Sequence, residues 1–283
     1  MKTMKKFIIA AALLLAGFAT ASAQKIKGSD TVLPLSQKEA EEYMKVNPSA
    51  TVTVTGGGSG VGISALMEGT TDIAQASRRM KFDEKQKIQK EGDKVKETVV
   101  AYDALAIVVH PSNPVTNLTR EQLEGIFTGR ITNWKEVGGD DLEIAPFQRN
   151  AESGSQVLME KLVMDGQAMM EPPEGYMLSE MGTLMEAVRS YDNSASAIGY
   201  SVFYYASDME MASGLKILRV DGVNPSADAI RSGEYPLRNP YYVAMAANTP
   251  DDDLTSILYH WILSQEGQKL VDQMGYASVL EVG

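Results

Sequence analysis

Arg149 to Ser155, reading R-N-A-E-S-G-S, is the stretch around which we expect the rest of the chain to be organised. The apolar run Leu142 to Ala145 before it predicts a strand, and the apolar residues of Gln156 to Met164 recur at helical spacing. Ser153, followed three residues later by a glutamine, has the spacing of a capping box. A turn between a strand and a helix directs free backbone N–H groups and the positive end of the helix dipole to one place. Because the arginine adds a planar fork of donors, the stretch predicts an anion site; the alternative is an ordinary capped helix with a surface arginine.

Strand and helix patterns alternate along the rest of the chain. Three turns rich in Ser, Thr and Gly follow predicted strands before residue 80: Gly28 to Thr31, Gly56 to Gly60, and Ser77 to Arg79. This alternation is typical of an α/β protein with a parallel sheet and helices on its faces. Ligands of such sheets bind at the carboxyl ends of the strands, so we expect the three turns and the 149–155 stretch to converge. Alone, the glycine run predicts no more than a flexible loop.

Later segments extend this pattern. Val99 to Val109 and Ala197 to Tyr205 predict further strands, and Tyr241 to Ala246 predicts another. Asp251 to Asp253 is interpreted as the acidic first turn of a helix.

The chain of 283 residues is long enough for two domains, and its start has the parts of a secretory signal peptide. Basic residues from Lys2 to Lys6 precede the apolar run Phe7 to Ala19, and Ala21 to Ala23 (ASA) fits the cleavage pattern. Removal of residues 1–23 leaves 23 basic and 37 acidic residues, a formal charge of −14, which argues against nucleic acid and anionic membranes as partners. Because the chain has no cysteine, we expect no disulfide and no lipid anchor, and therefore a free periplasmic protein.

The sequence has few patterns of catalytic or metal-binding chemistry. His110 and His260 are its only histidines and lie far apart, and no zinc-type spacing is present. No nucleophile elbow occurs, and Gly56 to Gly60 lacks the lysine that a P-loop uses to hold a nucleotide. We therefore expect a binding protein rather than an enzyme, with no catalytic residue, no metal and no cofactor. We also expect it to be a monomer.

The longest recognisable motif is LTREQLEGIFTGRITNWKEVGG, from Leu118 to Gly139. The shorter motifs are Gly28 to Val32, Gly56 to Gly60, Asp72 to Arg78, Ile107 to Val115, Ala197 to Tyr200 and Tyr235 to Leu237. In these motifs, and over essentially the whole mature chain, the protein resembles the periplasmic phosphate-binding proteins of ABC-type phosphate uptake systems, the PstS-type substrate-binding proteins.

The resemblance implies a periplasmic-binding-protein type II fold of the α/β class, with two lobes joined by two crossing segments around a ligand cleft. We expect lobe I to comprise residues 24–102 and 241–283, and lobe II residues 103–240. The crossings are expected near Tyr102 to Ala104 and Pro236 to Pro240. The resemblance further implies that the protein binds inorganic phosphate and delivers it to an inner-membrane ABC permease, without enzymatic activity.

The resemblance also implies which residues bind phosphate. In lobe I these are Thr31, the N–H of Val32, Ser59, Ser77 and Arg78; in lobe II they are Arg149, Ser153, Gly154 and Ser155. Some family members have Asp at the place of Ser77 and use it to accept the proton of hydrogen phosphate. For Arg78, a surface charge or an interlobe salt bridge is the alternative.

Other functions stay open at this point. The same fold binds other oxyanions, such as sulfate, molybdate or tungstate. A phosphate-handling enzyme lacks support because no nucleophile–base pair and no metal ligand set is present in the sequence. A scavenger or sensor without a transporter is the remaining alternative.

Overall fold

The computed structural model describes residues 23–90, 94–151, 153–190, 192, 195–207 and 213–280, so nearly all of the predicted signal peptide lies outside the described residues. The strands are β1 (Gln24–Gly28), β2 (Val52–Thr55), β3 (Ile73–Ala76), β4 (Val95–Val109), β5 (Asn117–Leu118), β6 (Ala145–Pro146), β7 (Gln148–Arg149), β8 (Met177–Leu178), β9 (Ala197–Val202), β10 (Lys216–Ile217), β11 (Arg219–Val220), β12 (Arg238–Ala246) and β13 (Ala277–Ser278). The helices are α1 (Leu33–Val46), α2 (Ser59–Met67), α3 (Phe82–Lys90), α4 (Arg120–Phe127), α5 (Gly154–Leu162), α6 (Met181–Arg189), α7 (Phe203–Ala206), α8 (Ala227–Ser232), α9 (Leu254–Ile262) and α10 (Gln265–Gln273).

The main sheet is mixed rather than wholly parallel. Its strands lie in the order β2-β1-β3-β12-β4-β9-β6, and β10 and β13 also pair with β4. Strand β1 is parallel to β2 and β3, and β6 is parallel to β9. Strand β12 is antiparallel to β3 and β4, and β9 is antiparallel to β4. The predicted α/β class is confirmed, and the antiparallel pairs come from the strands that cross between the two halves.

Strand β4 extends through both halves of the sheet. Its residues Val95 to Ala104 pair with β12, whereas Leu105 to Val109 pair with β9. The Leu105 N–H also donates to the carbonyl of Leu237, one residue before β12, at 2.9 Å. The two chain crossings therefore lie side by side, and they join the two lobes of the molecule.

Each lobe is filled by its own apolar side chains. Around β9, the side chains of Phe127, Trp134 and Tyr200 are at most 1% exposed. Around β1 and β12, Ile26 and Tyr241 are equally buried. Burial of such large side chains supplies most of the stabilisation of a domain core, so each lobe has a core of its own.

Three segments differ from the sequence prediction. Of the strand predicted from Leu142 to Ala145, only Ala145 lies in a strand, β6, and the chain reaches the site through the short β7. The strand predicted to reach Tyr205 ends at Val202, and the next residues form α7, because the Asp103 carboxylate accepts the Tyr204 N–H at 3.2 Å and fixes a turn there. Asp253 is the N-cap of α9, with its carboxylate accepting the Thr255 N–H at 2.8 Å, rather than part of the first turn. In the described part of the chain, no helix is both long and apolar enough to span a membrane.

Candidate functional site

The turn after β1 brings the N-terminus of α1 to the middle of the molecule. Gly28 has φ +151°, and a Cβ there would lie 1.9 Å from the carbonyl oxygen of Gln75, so only glycine fits. The Val32 side chain is fully buried, and its N–H donates to the Ser29 carbonyl at 3.2 Å. That N–H is therefore already engaged within its own turn, whereas the Thr31 side chain faces the other lobe.

The glycine loop before α2 is fastened to this turn. Asp30 Oδ1 accepts the Gly57 N–H at 2.9 Å. Ser59, the first residue of α2, accepts the Ser77 N–H through its Oγ at 3.1 Å, and the two hydroxyl oxygens are 3.3 Å apart. The turns after β1, β2 and β3 thus converge, as the sequence predicts for the carboxyl ends of neighbouring parallel strands.

Arg78 lies beside this cluster but is paired within its own lobe. Its Nη1 and Nη2 atoms donate to the two carboxylate oxygens of Glu84 at 2.9 and 2.8 Å. This two-point hydrogen bond raises the pKa of Arg78 and neutralises most of its charge locally. The interlobe salt bridge considered from the sequence is not its arrangement here, because Glu84 belongs to α3 on the same side of the cleft.

In the other lobe, Arg149 is buried at the N-terminus of α5. Its side chain is 8% exposed, and its Nη1 donates to Ser155 Oγ at 3.3 Å. Its Nε and Nη2 donate to the carbonyls of Leu178 and Ser179 at 3.2 and 3.0 Å. Burial lowers the pKa of the guanidinium, since low polarity disfavours its charge. Among the described residues, no carboxylate lies within 4.0 Å of it, so its charge is not compensated by an ion pair in this part of the chain; Glu180, farther away, opposes the lowering of its pKa.

Half of the capping box predicted at the N-terminus of α5 is present. Ser153 Oγ accepts the Gln156 N–H at 3.4 Å and lies 3.0 Å from Ser155 Oγ. The reciprocal half of the capping box is missing, because the Gln156 side chain is bonded to Glu160 and Tyr200 instead.

A cavity of about 300 Å³, which we call the interlobe cavity, lies between the two lobes. Its walls include five of the predicted residues: Thr31, Ser59, Ser77, Arg78 and Gly154. The lining of the cavity does not include the other four, Val32, Arg149, Ser153 and Ser155, which are buried. A Cβ placed on Gly154 would lie 2.2 Å from Thr31 Oγ1, so the two lobes touch at the cavity.

Two charged residues of the cavity wall were missed by the sequence interpretation. Asp30 lies next to Thr31, and Lys161 lies in the last turn of α5. The Lys161 ammonium donates to Asn239 Oδ1 at 2.8 Å, and burial of that group lowers the pKa of Lys161. One signal was available: Lys161 follows Gly154 by seven residues, two helical turns, which places both on one helix face.

Comparison with known proteins places the chain among well-defined relatives. The family model of the PBP superfamily domain matches residues 16–266. The chain is 33% identical to the phosphate-binding protein PstS of Bacillus subtilis, over 91% of this chain and 81% of that protein. It is 31% identical to the phosphate-binding protein PstS of Borreliella burgdorferi, over 90% and 89% of the two chains.

Solved structures give the same result. An ABC-type phosphate transport receptor from Vibrio cholerae has a TM-score of 0.75 at 32% identity, covering 89% of this chain and 98% of that one. A substrate-binding chain from Clostridium perfringens with bound phosphate has a TM-score of 0.71 at 29% identity, covering 92% of this chain and 100% of that one.

Proposed function

The chain belongs to the PBP superfamily and, within it, to the PstS-type phosphate-binding proteins, and from this premise we propose that it binds inorganic phosphate in the periplasm and delivers it to an ABC import permease. The observation that carries the proposal is the buried guanidinium of Arg149, which has no carboxylate partner among the described residues and lies against Ser155 at the N-terminus of α5. A buried charge of this kind is costly unless an anion compensates it.

Phosphate in the interlobe cavity is proposed to meet donors from both lobes. The hydroxyls of Thr31, Ser59 and Ser77 lie on one side, and the N-terminus of α5 at Gly154 lies on the other. The helix end supplies N–H groups aligned with its dipole, and Arg149 supplies charge from behind. We keep all nine residues as the proposed site: Thr31, Val32, Ser59, Ser77, Arg78, Arg149, Ser153, Gly154 and Ser155.

The same proposal includes the organisation of the protein. Lobe I is residues 24–102 and 241–283, and lobe II is residues 103–240; the change of partner along β4 supports a boundary near Ala104. The protein is proposed to act as a monomer without a lipid anchor and to catalyse no reaction. Its task is capture and transfer of the anion.

Calorimetric titration of the mature protein, stripped of ligand, tests the proposal directly. We expect saturable binding of phosphate with one site per chain, and weaker binding of sulfate and molybdate. Tighter binding of sulfate or molybdate would assign the protein to another anion, and absence of binding to any of them would refute the assignment to anion uptake.

Arg149 is the residue to remove in the same assay. We expect Arg149→Ala to weaken phosphate binding by about 2–5 kcal/mol, because the buried dianion loses its charge-assisted partner. Arg149→Lys keeps the charge but loses the planar fork of donors, so its affinity for phosphate should lie between those of the wild type and Arg149→Ala. Arg130→Ala, which removes an exposed arginine paired with Glu124, is the matched control. A loss in Arg149→Ala no greater than in that control would remove Arg149 from the site.

A further inference from the structure

Lys161 differs from the other charged groups of the interlobe cavity because no acid among the described residues pairs with it. Arg78 is held by Glu84 through two hydrogen bonds, and Asp30 is itself negative. Lys161 lines the same cavity, and within the described residues no carboxylate lies within 4.0 Å of its ammonium nitrogen. An unpaired cation in the wall of this cavity would attract a dianion and stabilise it once bound.

The position of the ammonium group is fixed by Asn239, at the crossing between the lobes. Asn239 is fully buried in β12, and its Oδ1 accepts the Lys161 ammonium at 2.8 Å. Its Nδ2 donates to the Ser77 carbonyl at 3.1 Å. One amide therefore ties the helix that carries Lys161 to the turn that carries Ser77, and both residues line the cavity.

The remaining hydrogen-bonding capacity of Lys161 is suited to an anion. A lysine ammonium has three N–H donors, and the bond to Asn239 uses one of them. Burial of the group lowers its pKa, so it has lost hydration that a bound oxyanion would replace.

We propose that Lys161 is a further phosphate-binding residue of the interlobe cavity, positioned by Asn239, and that it supplies the free positive charge that Arg78, paired with Glu84, does not. The inference rests on the proposed function and adds to it a residue from the far end of α5. It also gives phosphate a contact that forms only when α5 lies against the crossing strand.

The test is phosphate titration of four variants of the mature protein. Lys161→Met removes the charge and the donors, and Lys161→Gln keeps a donor for Asn239 without the charge. We expect both to raise the Kd for phosphate by about 10- to 100-fold, the range for loss of a charge-assisted hydrogen bond. Lys161→Arg keeps the charge and should stay within about threefold of wild type. Lys135→Met removes an exposed lysine of the same lobe that is paired with Asp141, and should change nothing.

The outcomes separate this inference from the function on which it rests. Wild-type affinity in Lys161→Gln would show that only the bond to Asn239 matters and would overturn the inference while phosphate binding stands. Wild-type affinity for phosphate in Lys161→Met would also overturn the inference, because that variant has neither the charge nor the donors. A wild-type protein that binds no phosphate would overturn both. Melting temperatures of the ligand-free variants, expected to match wild type, identify any loss that comes from unfolding.

Discussion

At the scale of single residues, Gly154 sets how closely the lobes approach at the interlobe cavity. Because a Cβ there would lie 2.2 Å from Thr31 Oγ1, Gly154→Ala should push the turn and the helix apart. We expect phosphate binding to weaken by about tenfold, as overpacking costs about 1–3 kcal/mol. Stability without ligand should change little. The measurement is titration with phosphate beside thermal melting of the stripped protein.

Gly60→Ala is the matched control, since a Cβ on Gly60 would lie 3.6 Å from the nearest atom of Arg78, an ordinary contact. Both glycines are in the first turn of a helix that opens on the cavity. Equal phosphate affinities in the two variants would mean that the approach of Thr31 to Gly154 has no part in binding.

Ser77 bears on selectivity between anions. Hydrogen phosphate carries a proton that a carboxylate accepts, whereas the same carboxylate repels a bare sulfate oxygen. A serine hydroxyl donates or accepts as required, so it penalises sulfate little. We predict that Ser77→Asp raises the ratio of phosphate to sulfate affinity above the wild-type value, in competitive titration. Ser77→Asn, whose side chain has the shape of Asp without its charge, should leave the ratio of phosphate to sulfate affinity near the wild-type value.

Asp30, whose carboxylate lines the cavity, is the alternative acceptor for the proton of hydrogen phosphate. Its Oδ1 accepts the Gly57 N–H, and its exposed side chain lies next to Thr31. If Ser77→Asp binds phosphate with an unchanged preference over sulfate, then Ser77 does not face the protonated oxygen, and Asp30→Asn becomes the variant to measure.

At the scale of elements, Asp103 is buried on β4 beside the change of strand partner. Its Oδ2 accepts the Tyr241 hydroxyl at 3.0 Å, and its Oδ1 accepts the N–H groups of Ala104 and Tyr204 at 2.8 and 3.2 Å. Burial raises the pKa of Asp103 to about 7 despite these bonds. Since the folded protein then holds the proton more tightly than the unfolded chain, stability falls as pH rises from about 4 through 7.

Asp103→Asn should remove that dependence. Between pH 5 and pH 8 we expect the free energy of unfolding to fall more in wild type than in the variant, by on the order of 2 kcal/mol. Urea unfolding at the two pH values measures it. Glu39, also buried, has a raised pKa that acts in the same direction in both proteins, so only the difference between them is informative. An equal change in the free energy of unfolding of the two proteins between pH 5 and pH 8 would show that Asp103 does not cause the pH dependence.

Some features of the helices, strands and turns could be predicted from the sequence, and others could not. The turns of the site were predictable because Thr31, Ser59 and Ser153 carry the local chemistry of turns and helix starts. The aromatic and β-branched residues around Phe203 predict a strand there, but the distant Asp103 carboxylate fixes a turn instead. The bond between Lys161 and Asn239 was not predictable because the two residues are 78 positions apart; only the helical spacing of Lys161 from Gly154 pointed to the cavity.

At the scale of the whole molecule, binding is expected to require closure. The lobes touch at Thr31 and Gly154, and Lys161 bonds the crossing strand, so a ligand held by both lobes stabilises this closed arrangement. We predict that X-ray scattering gives a smaller radius of gyration at saturating phosphate than in the stripped protein. Arg149→Ala at the same phosphate concentration is the control and should stay nearer the stripped value. Identical wild-type profiles would indicate a permanently closed cavity.

The position of β12 has a consequence for how the chain is made. This strand lies between β3 and β4, yet it follows the whole of lobe II in sequence. The edges of β3 and β4 that face one another can therefore pair with β12 only after nearly all of lobe II has been synthesised. Open strand edges can pair with other chains, so we expect the incomplete polypeptide to be most prone to aggregation before β12 is added; α9, α10 and β13 follow only after it.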